Sequence, residues 1–344
     1  MIKKLELKQF RNHLTKTIEF NKNLVYLVGP NGSGKTSILE SIYFASTTKS
    51  HRTNNEKEMI QENQPFSIIK LKTVTNDFQI VLSDTGKRAF INQVEKRKIS
   101  DYIGHFKVVM FSPEDLSLIK GSPSDRRKFM DLELMQLYPS YLQTLSQYKK
   151  VLKQRNLLLK KIKIDDDYTF LNILGEQLLE LGEVLISKRK AFLEELQEEL
   201  NKAYKLFSNY QTTIQYIPYL TKEKMIEHFT KKQKYDIINQ TTMAGPHKDD
   251  FIILFNEKIA NAFASQGEQR LIMIALKLAL LKLIQKHENK EIVLLLDDVL
   301  SELDDQIQKT ILEQLPKNQQ IIISSAVKIL ENNNIQMIQL NKGA

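Results

Sequence analysis

Eight consecutive residues, Gly29-Pro30-Asn31-Gly32-Ser33-Gly34-Lys35-Thr36, fit the pattern G-x-x-x-x-G-K-[ST]. Glycines let a backbone fold tightly around an anion with its N–H groups turned inward. A lysine in this place reaches the β- and γ-phosphates of a nucleoside triphosphate, and the hydroxyl after it ligates Mg²⁺. The expected nucleotide contacts are the eight residues from Gly29 to Thr36 with the adjoining Ser37. Far downstream, Leu294-Leu295-Leu296 runs into Asp297 and Asp298. A carboxylate at the tip of a buried strand can hold the metal that Thr36 also touches, which makes Thr36 and Asp297 the expected metal ligands. Asp298, one residue on, can orient or deprotonate an attacking water, so Lys35 and Asp298 are the expected catalytic pair. Two acids could also cap a helix after a core strand, but the upstream loop favours the catalytic reading. A third stretch, Ala264-Ser265-Gln266-Gly267-Glu268-Gln269-Arg270, opens a long helical pattern and offers Ser265 and Gly267 as a second anion site. Alone it is an ordinary capping pattern; its place between the loop and the acidic strand gives it weight.

These side chains need a strand–loop–helix unit and a parallel sheet to hold them. Leu24-Val25-Tyr26-Leu27-Val28 leads into the loop as a strand, and helical apolar spacing follows from Ser37 to Tyr43. Phe66–Val74 and Phe78–Leu82 flank Asn76-Asp77 as a hairpin, and the turn at Asp84–Lys87 continues an antiparallel meander. Lys107–Phe111, Ile292–Leu296 and Ile321–Ile323 are short continuous apolar runs, as buried parallel strands require. Between about 114 and 235 leucines recur at helical spacing, with Asp165-Asp166-Asp167 separating two long helices. The expected fold is α/β, an ATPase head with a parallel sheet and an antiparallel meander, interrupted by an inserted helical lobe. The expected divisions are 1–112, the first half of the head, 113–235, the lobe, and 236–344, the second half.

The 344 residues suffice for about two domains, and 42% hydrophobic with 26% charged residues is ordinary for a globular chain. With no cysteine, disulfide frameworks and thiolate metal sites are excluded. The first residues alternate apolar and charged types without the apolar core of a signal peptide, and no run is long enough to span a membrane; a cytoplasmic location with no membrane partner is the default expectation. A net charge of +9 and an isoelectric point near 9.2 suit a nucleic-acid binder if the charge gathers on one face, and equally suit a lysine-rich solvated surface. Lys149-Lys150-Val151-Leu152-Lys153-Gln154-Arg155 and Arg126-Arg127-Lys128 are candidate faces.

A series of motifs in fixed order carries a resemblance. It includes Phe10-Arg11-Asn12-His13, the phosphate loop, Lys49-Ser50-His51-Arg52-Thr53, and Phe111-Ser112-Pro113-Glu114-Asp115-Leu116. It continues through Gly245-Pro246-His247-Lys248-Asp249-Asp250, the Ser265 stretch and Asp297-Asp298-Val299-Leu300-Ser301-Glu302-Leu303-Asp304. The chain resembles the RecF family in the SMC-like branch of ABC-type ATPases along essentially its whole length. The resemblance implies a weak DNA-stimulated ATPase using ATP and Mg²⁺ that closes as an ATP-dependent homodimer on single-stranded and gapped duplex DNA. It implies RecO and RecR as partners in loading RecA, serving repair, recombination, the SOS response and replication. By the same resemblance Ser265 contacts the γ-phosphate bound to a second subunit, Ser301–Asp304 is a D-loop, and Arg11 touches nucleotide phosphate. Glu268 stands where the family usually has glutamine, and Ser324-Ser325 where transporters carry a switch histidine. A transporter ATPase subunit is disfavoured by the lack of Leu-Ser-Gly-Gly-Gln and of that histidine. A scaffold that binds ATP without hydrolysing it is disfavoured by intact Thr36, Asp297 and Asp298.

Overall fold

The computed structural model describes residues 1–164, 166–287, 292–299, 303–316, 318–325 and 334–341. Ser301 and Glu302 of the expected D-loop, and Asp165 of the expected helix break, lie outside them. The chain forms two compact units, one of Met1–Asp115 with Met273–Ala344 and the other of Leu116–Ile272.

The first unit contains two sheets. β1 (Ile2–Phe10) and β2 (His13–Glu19) form a hairpin, and β4 (Phe66–Thr73), β5 (Asp77–Ser83), β6 (Gly86–Ile91) and β7 (Val94–Lys96) extend it as a six-stranded sheet ordered β2-β1-β4-β5-β6-β7. Its pairings are antiparallel, and the hairpin expected around Asn76-Asp77 is the turn between β4 and β5. The second sheet is parallel and five-stranded, ordered β14 (Ile335–Gln339), β3 (Leu24–Val28), β13 (Gln320–Ser325), β12 (Ile292–Asp297) and β8 (Lys107–Phe111). β8 and β12 are buried at every residue, which is why they read as unbroken apolar runs. Helix α1 (Lys35–Thr47) touches strands of both sheets, and every one of its residues except Thr36 is buried. The two sheets are also clasped by Gln320, whose amide accepts from Ile2 N (2.6 Å) and donates to Ile2 O (3.0 Å). α10 (Asp305–Gln314) is capped by Asp304, whose carboxylate accepts from Ile307 N.

The second unit holds α2 (Ser117–Lys120), α3 (Pro123–Leu137), α4 (Pro139–Leu159), α5 (Thr169–Tyr204), α6 (Lys222–Lys231), α7 (Gln233–Asn239) and α8 (Ala260–Phe263). It also holds a three-stranded antiparallel sheet of β9 (Thr212–Ile217), β10 (Asp250–Phe255) and β11 (Lys258–Ile259). The inserted lobe carries more than its helices. The insertion is not purely helical, and the unit runs past residue 235 to Ile272. Phe251–Phe255 pairs antiparallel with β9 at a register of Phe251 to Tyr216. β9 alternates buried and exposed residues over only six positions, a weak signal beside the long leucine periodicities around it. The division falls inside α9 (Gln266–His287).

Candidate nucleotide site

The site begins where β3 stops. Gly29 has Leu340 O and Ser33 Oγ pressed against it, so that a Cβ would lie 2.4 Å from the carbonyl. Gly34 caps α1 with φ +89, and a Cβ there would lie 2.4 Å from His13 Nε2. Sterics on both sides therefore demand glycine, and the backbone N–H groups at the start of α1 are left facing the cleft. Lys35 is 8% exposed and folds its ammonium onto the loop, donating to Gly29 O (2.6 Å) and Pro30 O (3.1 Å).

The parallel register sets the second half of the site. Asp297 is paired with Ser324, and Ser324 with Leu27, so three strand ends meet at one edge. Open α/β sheets bind ligands at this carboxyl edge. Asp297 Oδ1 accepts from Thr36 Oγ1 (3.1 Å) and Ser324 Oγ (2.7 Å). Burial pushes its carboxyl above the usual range; the two hydroxyls pull it back, and the charges of Glu114 and Asp298 add to the rise. A buried carboxylate held by two hydroxyls suits a divalent cation, and Thr36 with Asp297 supplies the hard oxygen donors that Mg²⁺ takes. Asp298 has left-handed backbone (φ 51), is exposed toward the cleft, and donates its N–H to Ser324 Oγ (2.9 Å). The cleft measures about 890 Å³ and is lined by Asn31, Gly32, Gly34, Lys35, Thr36, Ser37, Asp297, Asp298 and Ser324. The phosphate loop and the acidic strand end, far apart in sequence, thus share one cavity.

Its other wall carries Arg11, Asn12 and Arg52. Arg11 also has φ 54, donates to Glu58 O (2.8 Å), and forks onto Glu40 at 2.8 and 2.6 Å. Glu40, fully buried on α1, also accepts from Ser50 Oγ (2.5 Å), with Arg52 3.5 Å away. Burial opposes its charge, yet the donors from Arg11 and Ser50 hold it below the usual range. Sequence reasoning missed Glu40. Its one signal was a carboxylate in an otherwise apolar stretch of α1, which is legible only as a partner for a distant arginine. His51 packs edge-on to Tyr43, and neither ring nitrogen has a hydrogen-bond partner among the described residues. Burial lowers it to about 4, which favours the neutral imidazole at neutral pH. Arg52 is the member of that motif which faces the cleft.

In the second unit Ser265 opens α9. Its N–H donates to Glu268 Oε2 (2.7 Å) and its Oγ accepts from Glu268 N (3.3 Å). Gly267 stands open, since a Cβ added there would meet only Ser265 Oγ, at 4.0 Å. The candidate basic faces are reduced. Arg155 is fully buried, paired with Asp236 at 2.6 Å and set over the Phe229 ring. Arg126 forks onto Asp250, and Arg127 donates to Asp249 O. His247 is a packed histidine bonded to Tyr148 and Thr242 O.

A family model described as RecF/RecN/SMC N terminal domain matches residues 1–342. The "DNA replication and repair protein RecF" of Acholeplasma laidlawii is 50% identical over 343 residues, covering 100% of this chain and 98% of the relative. The chain belongs to the RecF family. The RecF of Oceanobacillus iheyensis is 38% identical over 98% of this chain and 97% of its own. A solved structure described as the recombination mediator protein RecF-ATP in the RecFOR pathway superposes on this RecF-family chain with TM-score 0.92 at 31% identity, covering 100% of this chain and 96% of that one. An Smc head bound to the C-winged helix domain of ScpA matches with TM-score 0.51 at 16% identity, covering 95% of this chain and 89% of that one, and shares the fold. The parallel sheet, meander and phosphate loop are those of an SMC-like ATPase head.

Proposed function

We propose that the chain is a DNA-binding ATPase that closes as a homodimer around two ATP molecules on single-stranded or gapped duplex DNA, and opens again on hydrolysis. The observation that carries this reading is the contact of Thr36 and Ser324 with buried Asp297 beside the phosphate loop, in a chain half identical to a DNA replication and repair protein. On this reading Lys35 exchanges the Gly29 and Pro30 carbonyls for β- and γ-phosphate oxygens, and the N–H groups before α1 hold the remaining oxygens. Thr36 and Asp297 hold Mg²⁺, which when bound neutralises charge between the β- and γ-phosphates. Asp298 orients the attacking water. Arg11 and Arg52, tethered by Glu40, face the nucleotide from across the cleft. Ser265 and Gly267 complete the site of a second copy, since Gly267 leaves the approach to Ser265 open. In the cytoplasm such a switch would help RecO and RecR load RecA at gaps, in recombinational repair, the SOS response and replication. Hydrolysis would be weak and raised by DNA.

Composite sites are tested by mixing subunits carrying Ser265→Arg with subunits carrying Lys35→Ala. Neither homomer hydrolyses ATP, and the mixture recovers activity because one of its two sites is intact. A fully active Ser265→Arg homomer would contradict the reading.

A further inference from the structure

Glu268 returns its carboxylate to the Ser265 N–H at the head of the signature stretch. Ser265 and Glu268 satisfy each other reciprocally: the carboxylate takes the Ser265 N–H at 2.7 Å, and the Ser265 hydroxyl takes the Glu268 N–H at 3.3 Å. This is a capping box, in which an acid or an amide at the third helical position serves equally well as the returning acceptor. The difference between the two is charge. A carboxylate in the first turn of the 22-residue α9 lies at the positive end of the helix, where any other anion would also come to rest. The rest of the turn is fixed independently of it. Gln269, 3% exposed, donates its N–H to Ser265 O (2.9 Å) and its amide to Ala264 O (2.9 Å). Tyr204, at the far end of α5, lies close enough to Glu268 to feel its charge. Ser265 itself is exposed, and Gly267 leaves the approach to it open.

We propose that Glu268 is a resident anion on the signature, which the γ-phosphate of a second subunit must displace from Ser265 before the dimer can close. The inference rests on the signature reading of Ser265. A carboxylate bonded at the head of α9 repels a triphosphate arriving at the same helix end, so closure favours the Glu268 side chain swinging out, and its charge still opposes the incoming triphosphate afterwards. Glutamine keeps the capping bond without that charge. Glu268 therefore raises the ATP concentration at which subunits pair, without touching the phosphate loop that binds ATP in the single subunit.

The test compares the full chain with E268Q, E268A and S265R by light scattering across a titration of a non-hydrolysable ATP analogue with Mg²⁺. E268Q and E268A are expected to reach half-dimerisation at about fivefold less analogue in low salt, the Coulomb cost of two unit charges about 4 Å apart in water. The gap narrows as salt is raised. Binding of a fluorescent ATP analogue to dilute single subunits is expected to match wild type. If S265R stays monomeric while E268Q pairs at the wild-type midpoint or above it, the role of Glu268 is wrong and the signature reading stands. A shift confined to single-subunit binding would overturn the role as well. If S265R pairs like wild type, the signature reading itself falls, and the inference with it.

Discussion

At the scale of single residues, the same burial that fits Asp297 to a cation sets its cost to the fold. Its carboxyl is raised above the unfolded value, so the folded protein holds the proton more tightly. Stability then falls as pH rises through the window between the unfolded and folded values, and the cost is fully present above the folded value. Asp297→Asn keeps an acceptor for Thr36 and Ser324 but sheds the charge. We expect it to raise nucleotide-free stability by about 1 kcal/mol in denaturant unfolding, while Mg²⁺-dependent ATP hydrolysis drops by about 100-fold or more. Unfolding midpoints that fall in the variant would contradict this. Glu40 has the opposite sign. Held below the usual range, it contributes stability above its unfolded value that is lost as pH falls through the folded one. Glu40→Gln unpairs the Arg11 guanidinium, and a loss of about 3 kcal/mol is expected, together with weakened nucleotide binding as Arg11 and Arg52 lose their tether.

Among the elements, the strap Gly245–Asp250 is fixed on every side: His247 by Tyr148 and Thr242, Asp249 by Tyr216 and Tyr219, and Asp250 by Arg126. Burial lowers His247 to about 4 from its ordinary 6.5. The unfolded chain binds the extra proton between those values, so stability is lost as pH falls from 6.5 toward 4. Replacing His247 with glutamine is expected to flatten the slope of stability against pH by up to about 1.4 kcal/mol per pH unit near pH 5; an unchanged slope would show that another group titrates there. Elements also decide what could be read beforehand. β3, the loop and α1 were legible because one local stretch carries the strand, the glycines and the lysine. β12 was legible from its apolar run into Asp297. Glu40 was not, because a buried acid acquires meaning from Arg11, 29 residues away and aimed at it by left-handed backbone. Arg155 looked like part of a basic surface because Lys149, Lys150 and Lys153 surround it in sequence, yet its helical phase turns it inward to Asp236. The sheet of β9, β10 and β11 was hidden because β9 is short and its partner lies beyond two helices.

For the molecule as a whole, the switch reading predicts mass as well as turnover. In solution we expect single subunits without nucleotide or with ADP, and pairs with ATP that tighten on gapped DNA; one mass under every condition would refute the switch. DNA affinity should fall with added salt at a slope of roughly 0.9 per phosphate neutralised. The parallel sheet also bears on how the protein is made. The phosphate-loop strand β3 has β13 on one side and β14 on the other, both from the last 25 positions of the chain. The segment Leu116–Ile272, by contrast, is continuous in sequence and compact by itself. During synthesis that segment can fold while β3 waits without neighbours, and the Ile2 backbone waits for Gln320. A ribosome halted at residue 300 would therefore carry the complete phosphate-loop sequence and retain no ATP, whereas the full chain on an extended tether would retain it. ATP binding in this protein thus reports that β13 and β14 have been made and paired with β3.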